Sequence, residues 1–252
     1  MVRKIKKKKE MRNISIIFIL SILFGYTAKA QTYQNLWITG SAVPEGTRQL
    51  QKTPDGDFRF AGSLKDGELK IMTTGKAGAD TKYIAPKYVD SYIVNKGVET
   101  VQTADAAKAA WIVPFSEDRY RFYVSSDGKT VRGELFIPWE EAYIGGGATK
   151  TGWNAFTAES MTQDPNNEMV WTWTGELKTH QNIEEPSSFK IMGWKNWGQK
   201  EIHPFVQGED PLTTKLVRTN GDDTKWTITK DGTYRITVDV FNETFKAELI
   251  SQ

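Results

Sequence analysis

Trp153, Trp194 and Trp197 are the residues of this 252-residue chain whose type and setting point to chemistry. They stand among Gly, Lys and Asn in "TGWNAF" and "MGWKNWGQK", segments without an apolar period. The chemistry open to an indole there is non-covalent. A pyranose ring has a face of C–H groups and a rim of hydroxyls. An indole covers the face, and nearby polar side chains bond the rim. Lys190, Lys195, Asn196, Gln199 and His203 are the available rim donors. If one sugar face hides ~100 Å² of apolar surface, the gain is roughly 2–3 kcal/mol before ordering costs. Two stacked sugars then give a Kd of about micromolar to millimolar. The competing reading is that the three rings plug loops against a hydrophobic core.

Bond-making chemistry has less to work with. The chain has no cysteine, which excludes disulfides, thiolate nucleophiles and Cys-type zinc sites. His180 and His203 are the only histidines and fall in different expected loops. A zinc site would need both plus carboxylates, so no metal and no cofactor is expected. A glycosidase needs two carboxylates roughly 5–10 Å apart across a cleft. Glu140-Glu141 and Glu184-Glu185 are adjacent pairs and read as solvated charges. No catalytic residue is expected. Asp164-Pro-Asn166-Asn167-Glu168 lacks the glycine and the distant glutamate of a calcium loop and reads as a turn. Gly145-Gly146-Gly147 is not followed by Gly-Lys-Ser/Thr, so it is no phosphate loop; it lets the chain bend where a strand begins.

The elements that must position these residues repeat once along the chain. Trp37-Ile38-Thr39-Gly40-Ser41-Ala42 matches Tyr143-Ile144-Gly145-Gly146-Gly147-Ala148. Phe58-x-Phe60-x-Gly62 matches Trp171-x-Trp173-x-Gly175, Leu69–Met72 matches Phe189–Met192, and Trp111 matches Trp226. "YRFYVSSDGKTVRGEL" from Tyr120 aligns without a gap on "YRITVDVFNETFKAEL" from Tyr234. A period of roughly 110 residues is domain-sized. Phe58/Phe60 and Trp171/Trp173 alternate with polar residues, as half-buried strands do. The closing match reads as a hairpin, with Ser126-Asp127-Gly128 at one turn and Phe241-Asn242-Glu243 at the other. The expected fold is all-β, two tandem immunoglobulin-like β-sandwiches of the kind used as carbohydrate-binding modules.

The repeat also sorts residues. Those that agree between copies serve the shared fold, which assigns Trp37, Trp111, Trp171, Trp173 and Trp226 to the core. Trp153 faces Thr47 in the first copy, and Trp194 and Trp197 fall where the first copy has Thr74, Gly75 and Ala77. These three are therefore the site candidates, with Lys195, Asn196 and His203. In the first copy Lys82, Tyr83, Tyr88 and Tyr92 are the available replacements, although tyrosines so spaced more often pack.

The amino terminus reads as a secretory signal. Basic residues through Arg12 precede an apolar run from Ile14 to Gly25, and Ala28-Lys29-Ala30 gives a small-x-small cleavage site. Met11 offers an alternative start. Residues 1–30 carry eight of the 33 basic and one of the 31 acidic residues, so 25 basic and 30 acidic remain, a net charge of −5. That balance disfavours binding to nucleic acid. The expected segments are a signal peptide at 1–30 and domains at 31–138 and 139–252, with the break at Ile137-Pro138-Trp139-Glu140. No transmembrane segment is expected in the mature chain.

"AYIGGGATKTGWNAFTAESMTQDPNNEMVWTWTGELK", followed by "FKIMGWKNWG", resembles a domain of the SusE/SusF family. The resemblance covers Ala142–Gln252 and is weaker over Leu36–Phe136. It implies tandem β-sandwiches that bind starch-like or other oligosaccharides without catalysis, at the outer membrane or cell surface, within a polysaccharide-utilisation system. It places the site on Trp194, Lys195 and Trp197, with Trp153 second. It implies a glycan as ligand and proteins of an outer-membrane transporter complex as partners. Members of that family are usually lipoproteins, and this chain has no cysteine to acylate. The expectation is therefore an exported protein that is periplasmic, released, or held at the surface by a partner. The rival expectation is a structural or assembly subunit of an outer-membrane complex, with the tryptophans as interface anchors.

Overall fold

The computed structural model describes residues 32–179, 187–198, 200–219 and 221–252. The signal-peptide expectation, His180, Glu184-Glu185 and Gln199 lie outside the described residues. In chain order the first strands are Trp37–Thr39 (β1), Arg48–Gln49 (β2), Gln51–Lys52 (β3), Phe58–Leu64 (β4) and Gly67–Met72 (β5). Tyr83–Pro86 (β6), Asn95–Thr103 (β7), Trp111–Val113 (β8), Glu117–Val124 (β9) and Thr130–Leu135 (β10) follow. The second set begins with Tyr143–Gly145 (β11), Glu159–Ser160 (β12), Thr162–Asp164 (β13), Asn167–Leu177 (β14) and Ser188–Met192 (β15). It closes with Glu201–His203 (β16), Arg218–Thr219 (β17), Trp226–Thr227 (β18), Gly232–Asp239 (β19) and Thr244–Ser251 (β20). The fold is all-β, and these strands pair antiparallel in a sandwich-like arrangement. Among the described residues no helix is long and apolar enough to cross a membrane.

The repeat read from the sequence is a repeat of topology. The order β2-β1-β5-β6-β7 recurs as β12-β11-β15-β16-β17, and β10-β9-β4-β3 recurs as β20-β19-β14-β13. Register agrees as well. Ile38 opposes Ile71 and Thr39 opposes Lys70; Ile144 opposes Ile191 and Gly145 opposes Lys190. Trp111 opposes Leu69 as Trp226 opposes Phe189. The two sets differ at one seam. β7 is long enough to pair with both β6 and β10, so the first set forms one continuous sheet. β17 has two residues, and the segment before it meets β20 through a bridge from Leu216 to Thr244, leaving two sheets.

Two large apolar clusters fill these sheets, one drawn from Tyr33 to Val131 and one from Phe136 to Ala247. Trp111 and Trp226 are fully buried at their centres, with Nε1 donating to the Ile84 carbonyl (3.0 Å) and to Thr214 Oγ1 (3.1 Å). Tyr120 and Tyr234 each donate a hydroxyl back to a carbonyl near the start of their strand, Phe115 (2.7 Å) and Lys230 (2.8 Å). Trp171 and Trp173 are buried, as the alternation requires. Trp37 departs from the expectation: it is half-buried and packs outside the main core, over Met72 and Tyr83. The reason is the two-residue period of a strand, which turns Trp37 outward once Ile38 points in. Gly146 follows β11 rather than preceding it. A Cβ there would lie 2.3 Å from the Ser188 carbonyl oxygen, and the Ala148 N–H bonds that same oxygen at 3.0 Å. Gly40 repeats this contact against Glu68.

The two strand sets meet through buried charge. Arg59 on β4 and Arg121 on β9 lie on the outward face of the first set, yet are 2% and 3% exposed. The turn between β19 and β20 covers them. Glu243 on that turn, at φ +48°, receives Arg59 Nη1 at 2.5 Å, the Tyr123 hydroxyl at 2.8 Å, and Thr219 through N (2.7 Å) and Oγ1 (2.6 Å). Arg121 Nη1 donates to the Val240 carbonyl at 2.8 Å. Burial works to raise the Glu243 pKa, but Arg121, Arg59 and the Thr219 bonds outweigh it and hold the carboxylate below its ordinary range.

Candidate carbohydrate-binding site

β11, β15 and β16 present their outward face on the second strand set. Because Ile191 points into the core, Lys190 and Met192 point out. Met192 opposes Glu201 and Ile191 opposes Ile202, which puts Glu201 and His203 on the same face as Lys190. In the first set the matching pairs are Met72 with Tyr83 and Ile71 with Ile84. Glu201 and His203 therefore stand where the first set has Tyr83 and Ala85.

Lys190, Glu201 and His203 are buried, and each has a charged or backbone partner. Lys190 Nζ lies 2.8 Å from Glu201 Oε1 and 2.8 Å from Asp223 Oδ1. His203 Nδ1 is 3.0 Å from the Thr224 carbonyl, and its Nε2 faces Glu201 Oε2 at 3.4 Å. Glu201 also accepts the Gly198 N–H at 2.9 Å, which ties the Trp194–Gly198 loop to the sheet. Burial alone would raise the Glu201 pKa, but His203, Lys190 and the Gly198 N–H bring it down to about 2. Asp223 is likewise lowered against its burial, by Lys190 and Lys225.

The indoles sit beside this cluster. Trp197 is half-buried against Tyr143, Ala155, Ala158 and Met192. Its Nε1 donates to the Trp153 carbonyl at 3.3 Å, and the Trp153 and Trp197 rings are 5.6 Å apart at 55°. Each ring lies near an ammonium group: Lys190 Nζ is 4.7 Å from the Trp197 centroid, and Lys225 Nζ is 5.6 Å from that of Trp153. Trp197, Lys190, Lys200, Glu201, His203 and Asp223 line a cavity of about 450 Å³.

The structure thus brings Trp197, Trp153 and His203 to one place. His203 belongs to β16 rather than to a loop, and is 3% exposed. Trp194 is 44% exposed, and Lys200, which lines the cavity, places Nζ 5.3 Å from its ring. Trp194 and Trp197 have no ring contact with each other among the described residues, so the indoles form a tilted Trp153–Trp197 corner rather than one flat sheet. Lys195 is exposed with Nζ 5.0 Å from the Tyr143 ring, and Asn196 is exposed on the same loop. In the first set Tyr83 is buried, while Tyr88 and Tyr92 are 65% and 51% exposed. Sequence reasoning missed Glu201, Asp223 and Lys200. The signal available for the first was the alternation Glu201-x-His203 against Tyr83-x-Ala85.

Glu201, His203 and Asp223 offer ligand atoms within 4.8 Å of one another, a set of metal-binding types. The Lys190 ammonium already lies 2.8 Å from both carboxylates. A divalent cation would have to share that space with a positive charge, so the donors fit the lysine and not a metal.

No family model matches the chain, and no curated protein matches it. Among solved structures it is similar to one described as the crystal structure of SusF from Bacteroides thetaiotaomicron. The TM-score is 0.37 at 10% identity, covering 86% of this chain and 48% of that one. The chain thus spans about half the length of that structure.

Proposed function

We propose that this chain is an exported, non-catalytic glycan-binding protein: a signal peptide at 1–30 followed by β-sandwich domains at 31–138 and 139–252. It holds an oligo- or polysaccharide at the outer membrane, at the cell surface or in the periplasm, within a polysaccharide-utilisation system and beside transporter-complex proteins. One observation carries the reading. A half-exposed indole stands at the mouth of a cavity whose polar atoms are fixed by neighbouring strands, at positions where the first strand set has Tyr83 and Ala85. Trp197 offers a face for sugar C–H groups, and Lys190, Lys200, Glu201 and Asp223 offer charged partners for hydroxyls. Trp194, Lys195, Trp153, Asn196 and His203 complete or brace the site. The preference for a starch-like α-glucan rests on the SusE/SusF resemblance of Ala142–Gln252.

The same pocket argues against hydrolysis. Glu201 and Asp223 place oxygens within 4.8 Å of each other with Lys190 between them, and a glycosidase also needs one carboxyl with a raised pKa to donate a proton. His203 and Lys190 hold the Glu201 carboxylate below its ordinary range, and Lys190 and Lys225 do the same for Asp223. A glycan array on the mature chain tests the proposal: binding to one class of glucan, lost in Trp197→Ala, is the expected result, and no binding to any glycan overturns it. The alternative, an assembly subunit with protein partners, draws support from the loop carrying Tyr88, Val89 and Tyr92, with Val89 90% exposed. Stable oligomers in solution without glycan binding would favour it.

A further inference from the structure

Gly221 borders the cavity at Trp197. That residue also borders a second cavity, about 490 Å³, in the cleft between the two strand sets. Asp57, Tyr123 and Arg132 line it from the first set, and Phe205 and Arg218 from the second. Tyr123 and Arg132 in turn border a third, about 590 Å³, that continues past Lys96. Flat groups recur along this path. The Arg132 guanidinium lies 4.7 Å from the Tyr123 centroid, and that of Arg218 lies 5.6 Å from the Phe205 centroid. A guanidinium stacked on a ring extends its flat face and offers N–H edges to hydroxyls. Asp57 is fixed by the Ser126 N–H on its Oδ1 at 2.8 Å, which orients an acceptor beside them. At the junction Gly221 has φ +101°, and a Cβ there would press on Arg218 at 3.2 Å. Gly221, which has no side chain, lines both of the first two cavities.

We infer that the Trp197 cavity and the inter-set cleft form one groove for a polysaccharide chain, so that the ligand is a long glycan rather than a sugar end or a short oligosaccharide. This inference rests on the glycan-binding reading of the Trp197 cavity. A chain engaging both cavities gains affinity because the second contact is intramolecular once the first has formed.

The probe is a series of maltooligosaccharides, from maltotriose to chains of about ten glucose units, titrated calorimetrically into the mature protein. Affinity should rise at least about tenfold across the series. Arg132→Ala, an exposed side chain whose loss spares the fold, and Phe205→Ala should each remove that rise while leaving the maltotriose Kd in place. Trp197→Ala should remove binding at every length. Binding of maltotriose with no rise on lengthening overturns the groove and leaves the Trp197 reading standing, as does a rise that survives both cleft substitutions. Absence of binding at every length in the unsubstituted protein overturns the α-glucan reading and the groove with it.

Discussion

Glu243→Ala removes a carboxylate that is 1% exposed and faces two buried arginines. Arg121 keeps Glu134 at 2.6 Å and the Val240 carbonyl, but Arg59 keeps only the Gln51 side chain, also at 2.6 Å. The Tyr123 hydroxyl and the Thr219 N–H and Oγ1 lose their acceptor together. Breaking a buried pair by deleting one partner costs about 3–5 kcal/mol, because the remaining charge stays desolvated. At roughly 2–4 °C per kcal/mol for a chain of this size, the melting temperature should fall by about 6–20 °C. Urea unfolding followed by tryptophan fluorescence reads the free energy. Joint replacement, Arg59→Met with Glu243→Met, leaves no lone charge at that contact and should lie nearer the unsubstituted protein than either single change. Glu243→Gly should cost less than Glu243→Ala, since φ +48° suits glycine. A loss below about 1 kcal/mol for Glu243→Ala, with the joint replacement no better than the singles, would refute the claim that this contact is strongly coupled.

Trp194→Ala should weaken retardation in a glucan affinity gel with little change in melting temperature, since the ring is 44% exposed. Trp197→Ala should abolish retardation and also lower the melting temperature by several degrees, because the ring packs on Met192 and Trp153. Gly146→Ala forces a methyl against the Ser188 carbonyl at φ +149°, and should cost about 1–3 kcal/mol in urea unfolding. Glu201, held at about 2 against an ordinary 4.5, binds protons more weakly folded than unfolded. Its stabilisation is therefore present above pH 4.5 and fades as pH falls toward 2. Glu201→Gln should be less stable than the unsubstituted protein at pH 7 and converge with it near pH 2; a constant gap across that range would count against the assignment.

The repeat was readable because its residues obey local rules. Ile38 and Ile144, Trp111 and Trp226, and Tyr120 and Tyr234 are set by strand period and turn chemistry, which act over a few residues. Arg59 and Arg121 were not readable. Each alternates with apolar neighbours, so period alone sends it to solvent, and only the arrival of a turn 184 residues beyond Arg59 buries it. The site divides the same way. Trp153 and Trp197 stood out as residues peculiar to the second copy, and His203 as a polar group near them. Lys190 agrees with Lys70, so agreement between copies hid its distinct surroundings. Asp223 carries no local signal, and its pairing with Lys190 comes from packing that no local pattern encodes.

The Glu243 turn gives this chain a different character from beads on a string. A duplicated unit ordinarily keeps its autonomy, and either half can be cut free. Here one half carries a carboxylate whose counter-ions belong to the other, so an excised fragment of either kind would bare unmatched charge on a surface made to be covered. Anyone who wants the second strand set on its own would first have to neutralise Glu243, while Arg59 and Arg121 would need the same care in the complementary piece.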